Sequence, residues 1–331
     1  MSKRINYIDY MRGIAIILVV MGHLIQFNGF PTSNPVFEFI YSFHMPLFFA
    51  ISGYITQRVT SIETIYEYFT YLKKKFLSII LPLITWSLFI NPYLKEQWEI
   101  LSYEEVLRIL QYPGLWFLKM LFIILAYYGI FNLICNKLKS TNFLRYFFAI
   151  LPTILLTLAS VYLNITKTNL LLFTYAFYLG CFTAKFPIIE RLSNKQSVYA
   201  ISLLSFFTFS THWNFAGNHI DDIYKIAVST FAFITLLNLC QKFNFNTKVK
   251  KTLQLFGTQS LAIYILQFRL CNFGNEIPIY IHNMNPFVLF LLTLIVAIPI
   301  SYICCIVTKI IYTNSFLSFF LFGKKELASD K

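Results

Sequence analysis

Arg12, His23 and His44 are the residues whose type and spacing point to chemistry. The first two lie in "MRGIAIILVVMGH" and the third in "YSFHMPLFFAISGY", apolar runs with little else to solvate a titratable ring. Eleven residues of helix make about three turns, so Arg12 and His23 share a face, about 20° apart around the axis and about 16 Å apart along it. A guanidinium can hold an anion at one level while an imidazole exchanges a proton at another. Each also has a plainer account. Arg12 could be an interfacial residue paired with Asp9 at i,i+3, and His23 a buried ring bonded to a neighbouring helix.

The elements that must position these groups are membrane helices. The chain has 331 residues, of which 57% are apolar, 19% aromatic and 12% charged, against roughly a quarter charged in a soluble domain. Apolar runs near the length needed to cross a bilayer recur from end to end. Ten spans are expected near 10–28, 36–57, 76–93, 115–135, 145–163, 169–185, 197–213, 223–241, 252–271 and 287–311. The fold class expected is an all-α bundle of about ten transmembrane helices in one domain, 1–331, with both termini cytoplasmic. The basic residues support that orientation. Lys3, Arg4, Arg58, Lys73, Lys74, Lys75, Lys137, Lys185, Arg191, Lys248 and Lys324 fall on one side, and few, such as Lys95, Lys167, Lys225 and Arg269, on the other.

A net charge of +13 is accounted for by anionic lipid and the positive-inside bias, so no nucleic acid is expected. With no A-x-A-like cleavage site, the first apolar run reads as a retained helix. The six cysteines lack metal or C-x-x-C spacing and read as buried thiols rather than a disulfide framework. The outer segments 93–114 and 211–222 are richer in polar groups; the second carries His212, His219, Asp221 and Asp222, in no recognised metal spacing. No internal repeat is visible, which disfavours transporters built from inverted repeats.

Counting helix rise from the expected entry points puts His44 about 12 Å below the outer face and His23 about 9 Å below it, on adjacent antiparallel helices. Pro46 frees a backbone carbonyl near His44, and the small residues of "SGY" (52–54) permit close helix approach. A polar pocket in the outer half of the membrane is therefore expected. Glu38 lies nearer the surface and about 120° around the helix from His44, so its membership of that pocket is open. Lys119, about 6 Å down the fourth span, is read as snorkelling outward. Lys73, Lys74 and Lys75 precede the third span; they serve either as positive-inside flank or as a site for an anionic headgroup or nucleotide phosphate.

"IDYMRGIAIILVVMGH" followed by "FIYSFHMPLFFAISGY" resembles the start of the acyltransferase-3 family of integral membrane O-acyltransferases, in particular the branch acting on exopolysaccharide and fucose-like sugars. The resemblance extends over most of the chain. The basic-x10-His spacing falls on Arg12 and His23, the Phe-His-Met-Pro block on His44, and "SGY" on Ser52 and Gly53. The basic cluster before span three falls on Lys73, Lys74 and Lys75, and "GLWFL" contains Trp116. "YLG" (178–180) and "FGTQSLAIYIL" (256–266) match later features.

The resemblance implies a bacterial cytoplasmic-membrane enzyme that moves an acyl group, acetyl first, from acyl-CoA as cosubstrate to a hydroxyl of a cell-surface or lipid-linked glycan. No permanently bound cofactor and no metal are expected. His23 would be general base or acyl carrier, and His44 would orient it or donate to the thioester carbonyl. Arg12 and Lys73, Lys74 and Lys75 would hold the CoA phosphates; Glu38, Ser52, Lys119, Trp116 and Gln267 would line the acceptor pocket. Two departures stand out. Lysines replace arginines in the cluster, and Gln267 stands where relatives often have a histidine; a glutamine cannot exchange a proton near pH 7. On that ground Gln267→Ala is expected to be tolerated. The rival readings are a transporter or flippase of a glycan or small anion, and a succinyl-specific transferase.

Overall fold

The structure is a computed structural model that describes residues 5–31, 33–90, 114–137, 170–210, 219–273 and 284–324, with isolated positions at 104, 151, 154, 155 and 158; the side chains of 89, 90 and 219–222 are excepted. The expected span 145–163 and the outer segments 93–114 and 211–222 lie largely outside these residues. Every regular element among them is helical. They are α1 (Asn6–Phe27), α2 (Pro35–Val59), α3 (Ile65–Lys75), α4 (Leu81–Ile84) and α5 (Trp116–Lys137). There follow α6 (Leu170–Lys185), α7 (Pro187–Ser193), α8 (Gln196–Phe209), α9 (His219–Lys242), α10 (Thr247–Thr258), α11 (Ser260–Leu270), α12 (Pro286–Ile311) and α13 (Ser315–Phe322).

Among the described residues, five stretches are long and apolar enough to cross a membrane alone: α1, α2, α5, residues 223–242 of α9, and α12. The pair α6 and α7 passes the same test only when taken together, and it is bent by 98° at its break, as in a broken span or a re-entrant loop. The helices α8 and α11 are apolar but shorter. Two compact units result, one of Met1–Thr60 and Tyr146–Cys305, the other of Ser61–Arg145 and Ile306–Lys331.

In the first unit α1 and α2 run antiparallel: Tyr7 at the start of α1 meets Tyr54 near the end of α2, at 2.7 Å between hydroxyls. Glycines then let further helices in to backbone contact. A Cβ on Gly53 would strike the Phe177 carbonyl, and one on Gly180 the Ala50 carbonyl, so α2 and α6 touch main chain to main chain. They run in the same direction: Phe49 stacks on Phe173 and, one turn on in both helices, Gly53 meets Phe177. Close approach at "SGY" is thus what the small residue there provides. Gly13 and Gly257 do the same where α1 crosses α10, against Leu253 and Asp9.

The run expected as one span at 252–271 is in fact two helices meeting at Gln259, whose φ of −101° and ψ of 14° leave the helical region. The reason lies in packing against α1. Gly257 is pressed on the Asp9 backbone, and beyond the break the Ser260 hydroxyl is taken by Arg12. All six cysteines are buried free thiols.

The second unit has the most irregular backbone. After α3 the chain continues through a wide π turn, Phe76–Ile80, then α4, then a second π segment, Thr85–Ile90. Pro82 has no N–H to give the Ser78 carbonyl, and the ladder shifts to longer bonds such as Leu81 N–H to the Phe76 carbonyl. Against this stretch pack α5 and α13. The Tyr71 hydroxyl donates to the Leu125 carbonyl at 3.3 Å, and Trp86 Nε1 donates to the Leu321 carbonyl at 2.9 Å.

Candidate functional site: two histidines on α1 and α2

His23 sits on α1 between two phenyl rings. Phe27, one turn on, stacks at 4.9 Å with only 12° between planes, and Phe268 of α11 lies at 4.8 Å. Such a sandwich fixes the plane of the imidazole. The ring's Nδ1 is buried without a partner among the described residues. The hydrogen bond that His23 shares with Gln267 therefore falls to Nε2. When the Gln267 carbonyl oxygen accepts it, Nε2 holds the proton and Nδ1 presents the lone pair. A buried, unsatisfied acceptor costs free energy unless a ligand meets it. That arrangement suits a group that takes a proton, or attacks a carbonyl, at Nδ1.

His44 is 4% exposed, and its Nδ1 lies 2.7 Å from the carbonyl oxygen of Ile40, one turn back in α2. A carbonyl only accepts, so Nδ1 carries the proton and Nε2 is the lone-pair nitrogen. His44 lies within electrostatic reach of His23 and of Lys225 on α9. The Tyr41 ring stands edge-on to the His44 ring at 4.7 Å and would be 2.9 Å from a Cβ on Gly22, the residue before His23. Tyr41 in turn donates to Gln26 Oε1 at 2.7 Å. The two imidazoles thus share a neighbourhood, as expected from depth. The hydrogen bonds described for the two rings run to Gln267 for His23 and to Ile40 for His44.

Arg12 Nη2 donates to Ser260 Oγ at 2.9 Å, and Nη1 lies 4.0 Å from Asp9 Oδ1. The plain pairing with Asp9 is therefore present, at the outer limit of an ion pair, together with a contact across to the first residue of α11. On the expectation that Arg12 holds the donor, replacing Ser260 with alanine should leave the fold intact and raise the apparent KM for donor a few-fold, because the guanidinium loses one anchor worth about 1 kcal/mol. Steady-state kinetics of the purified protein would measure it; an unchanged KM would remove Ser260 from the site.

Gln267 is fully buried and touches His23 through the bond above, which removes the ground for expecting its truncation to be harmless. Gln267→Ala is now expected to lower kcat by about tenfold, the cost of one lost hydrogen bond to a group that becomes charged. Gln267→Glu, which keeps the acceptor, should recover part of that loss. Glu38 is half-buried in the first turn of α2, and Ser52 is half-buried beside Gly53. Trp116, 41% exposed, and the half-buried Lys119 both lie in the first turn of α5. They belong to the second unit, as do the exposed Lys73 and Lys74 and the half-buried Lys75.

Sequence reasoning missed several participants. Lys225, 9% exposed, read as a flanking cation because its neighbours give no sign of burial. Phe268 and Ser260 come from the far end of the chain; Phe27, at i+4 from His23, was within reach of helical spacing. A cluster at the opposite end of α1 was also missed. Tyr7 and Tyr54 both donate to Glu190 Oε1, at 2.9 and 2.7 Å, and Arg58 Nη1 donates to the Tyr54 hydroxyl at 2.7 Å. Glu190 reaches them because the bend between α6 and α7 turns it back under the bundle.

Comparison with known proteins identifies the family. Residues 5–306 match the acyltransferase domain that defines the acyltransferase-3 family. The chain is also similar to Nodulation protein NolL of Sinorhizobium fredii, 52% identical over 52 residues, and to Nodulation protein NolL of Mesorhizobium japonicum, 47% identical over 53 residues. Each of these matches spans 14% of this chain and 14% of the relative. No solved structure matches the chain. With the family's domain covering nearly all of its length, the chain belongs to the acyltransferase-3 family.

Proposed function

We propose that this protein is a membrane O-acyltransferase that moves an acyl group, acetyl in the first instance, from cytoplasmic acyl-CoA to a hydroxyl of a cell-surface or lipid-linked glycan. The observation that carries the reading is the His23 ring: clamped by Phe27 and Phe268, bonded through Nε2 to Gln267, and left with Nδ1 buried and unmet. A buffered core histidine would have both nitrogens satisfied. Here one remains for a reacting group.

In the direct route Nδ1 takes the proton of the acceptor hydroxyl as its oxygen attacks the thioester carbonyl. The C–S bond then breaks, and CoA leaves as the thiolate, to be reprotonated by the imidazolium. The Gln267 oxygen steadies the positive ring formed on the way. In the two-step route the same nitrogen attacks the thioester carbonyl and CoA leaves as the thiolate. The acceptor hydroxyl then attacks the acyl carbon, and its proton passes to Nδ1 as the N–C bond breaks. The imidazolium gives that proton to the thiolate or solvent. Arg12 lies on the same continuous helix, about 16 Å from His23 along its axis, a length that an extended pantetheine arm can span. It would hold phosphate at the cytoplasmic level.

The test is incubation of the protein in lipid nanodiscs with radiolabelled acetyl-CoA or succinyl-CoA and membrane glycan, followed by mass spectrometry of the glycan. An acyl mass added to the glycan supports the reading. A glycan left unmodified with either donor would favour a transporter or flippase instead. Labelled acyl retained on His23 after rapid quenching would select the two-step route.

A further inference from the structure

Beyond the two imidazoles, toward the ends of α1 and α2 opposite Arg12, a second polar pair bridges the same helices. Gln26 follows His23 by three residues and Tyr41 precedes His44 by three. Because the helices are antiparallel, both lie about 4.5 Å further along the axis on the same side of the rings. The Tyr41 hydroxyl donates to Gln26 Oε1 at 2.7 Å. Both ends of this bond are fixed. The Tyr41 ring is stacked on the buried Phe37 at 3.9 Å, stands edge-on to His44, and fills the space that the missing side chain of Gly22 leaves. The buried Asn28 ties the end of α1 to the end of α11. Its Nδ2 donates to the Leu24 and Cys271 carbonyls, each at 2.8 Å, and its Oδ1 accepts from the Phe273 N–H at 2.9 Å.

What the pair can bind follows from the direction of its bond. With Oε1 taken by Tyr41, the two N–H donors of Gln26 Nε2 point away from that bond, and Gln26 is exposed. An amide is uncharged, so it matches a hydroxyl or ether oxygen rather than a phosphate. A donor already held in place spares the ordering cost of binding. The acyl donor is assigned to the Arg12 end of α1, which leaves this opposite end to the acceptor.

We infer that Gln26 is an acceptor-recognition residue. Its Nε2 donates to a second oxygen of the sugar whose hydroxyl reacts at His23, and Tyr41 is the positioning residue that aims the amide. The inference rests on the function proposed above, and it specifies the acceptor as a sugar with oxygens on adjacent carbons.

The test uses the full-length protein in nanodiscs with acetyl-CoA and membrane glycan. Binding of that glycan, of methyl α-L-fucopyranoside and of methyl β-D-glucopyranoside is read in parallel by saturation-transfer NMR. Gln26→Leu is expected to raise the KM for glycan about fivefold, the loss of one neutral hydrogen bond. The KM for acetyl-CoA, and kcat at saturating glycan, should not change. Tyr41→Phe, which keeps the ring and releases the amide, should raise the glycan KM by a smaller factor. Gln26→Glu separates recognition from bracing, since it keeps an acceptor for Tyr41 but has no N–H. It should match Gln26→Leu; a Gln26→Glu protein with the natural KM would show a mere brace between α1 and α2 and overturn the assignment. An unchanged glycan KM in Gln26→Leu, or a fall in kcat alone, overturns it as well. Should the natural protein transfer no acyl group, the function proposed above fails and binding decides. Loss of glycan and glycoside binding in Gln26→Leu then upholds a sugar site, while binding that does not depend on Gln26, or none in the natural protein, overturns it.

Discussion

Replacing His23 with alanine is expected to reduce acyl transfer by at least about 10² to 10⁴, the range a positioned general base contributes, and to background if the ring carries the acyl group. The loss should fall on kcat. Under the function proposed above the donor is held by Arg12, whose bond to Ser260 is untouched, so acetyl-CoA should still bind. The control is built into the surroundings: Phe27 and Phe268 already pack 5.7 Å apart and can close part of the gap, so the variant should insert and stay folded. Activity of the purified variant, with its thermal unfolding and donor affinity measured in parallel, separates the possibilities. Full activity in a folded His23→Ala protein would end the assignment. His44→Ala is a useful comparison, because a ring fixed by its own helix should cost less than one left open at Nδ1.

A second large effect is expected at Gly180. An added methyl would lie within the Ala50 carbonyl and 2.8 Å from the Tyr54 amide nitrogen, and neither backbone can rotate away as a side chain can. The helices must separate, at a cost of about 3 kcal/mol, the upper end of what overpacking usually takes. Separation also loosens Cys181 Sγ from the Gly53 carbonyl, now 3.3 Å apart, and the stacked Phe49 and Phe173 rings. Gly180→Ala should therefore lower the unfolding temperature markedly and reduce yield of inserted protein. Gly114 is the matched control: nothing among the described residues lies within 4 Å of its added Cβ, and Gly114→Ala should unfold as the natural protein does. Equal stability of the two variants would show that the α2 and α6 backbones are not held as close as described.

What could be read from the sequence was what depends on local periodicity. Helix rise and turn alone placed Arg12 and His23 on one face and His23 near His44, and they remain so. The small residue at 53 announced close packing, though its partner at Phe177 could not be named. Long-range partners were invisible for a physical reason. Ser260 is 248 positions from Arg12, and nothing in its apolar surroundings marks it as the anchor of a guanidinium. The break at Gln259 escaped because a Gly-Thr-Gln step inside an apolar run reads as one span; the α1 backbone against Gly257, not propensity, makes the interruption. Lys225 looked like a charge seeking water, and only its burial beside α2 gives it another meaning.

The elbow between α6 and α7 has a mechanical consequence. By swinging Glu190 beneath the floor of the bundle, it clasps Tyr7 of one histidine-bearing rod and Tyr54 of the other with a single carboxylate oxygen. Rods hinged to a common clamp at one end can lean together but cannot slide past each other. A bilayer that thins or thickens would thus tilt α1 and α2 as a pair, and the spacing of the two imidazoles near their far ends would be insulated from the membrane around them.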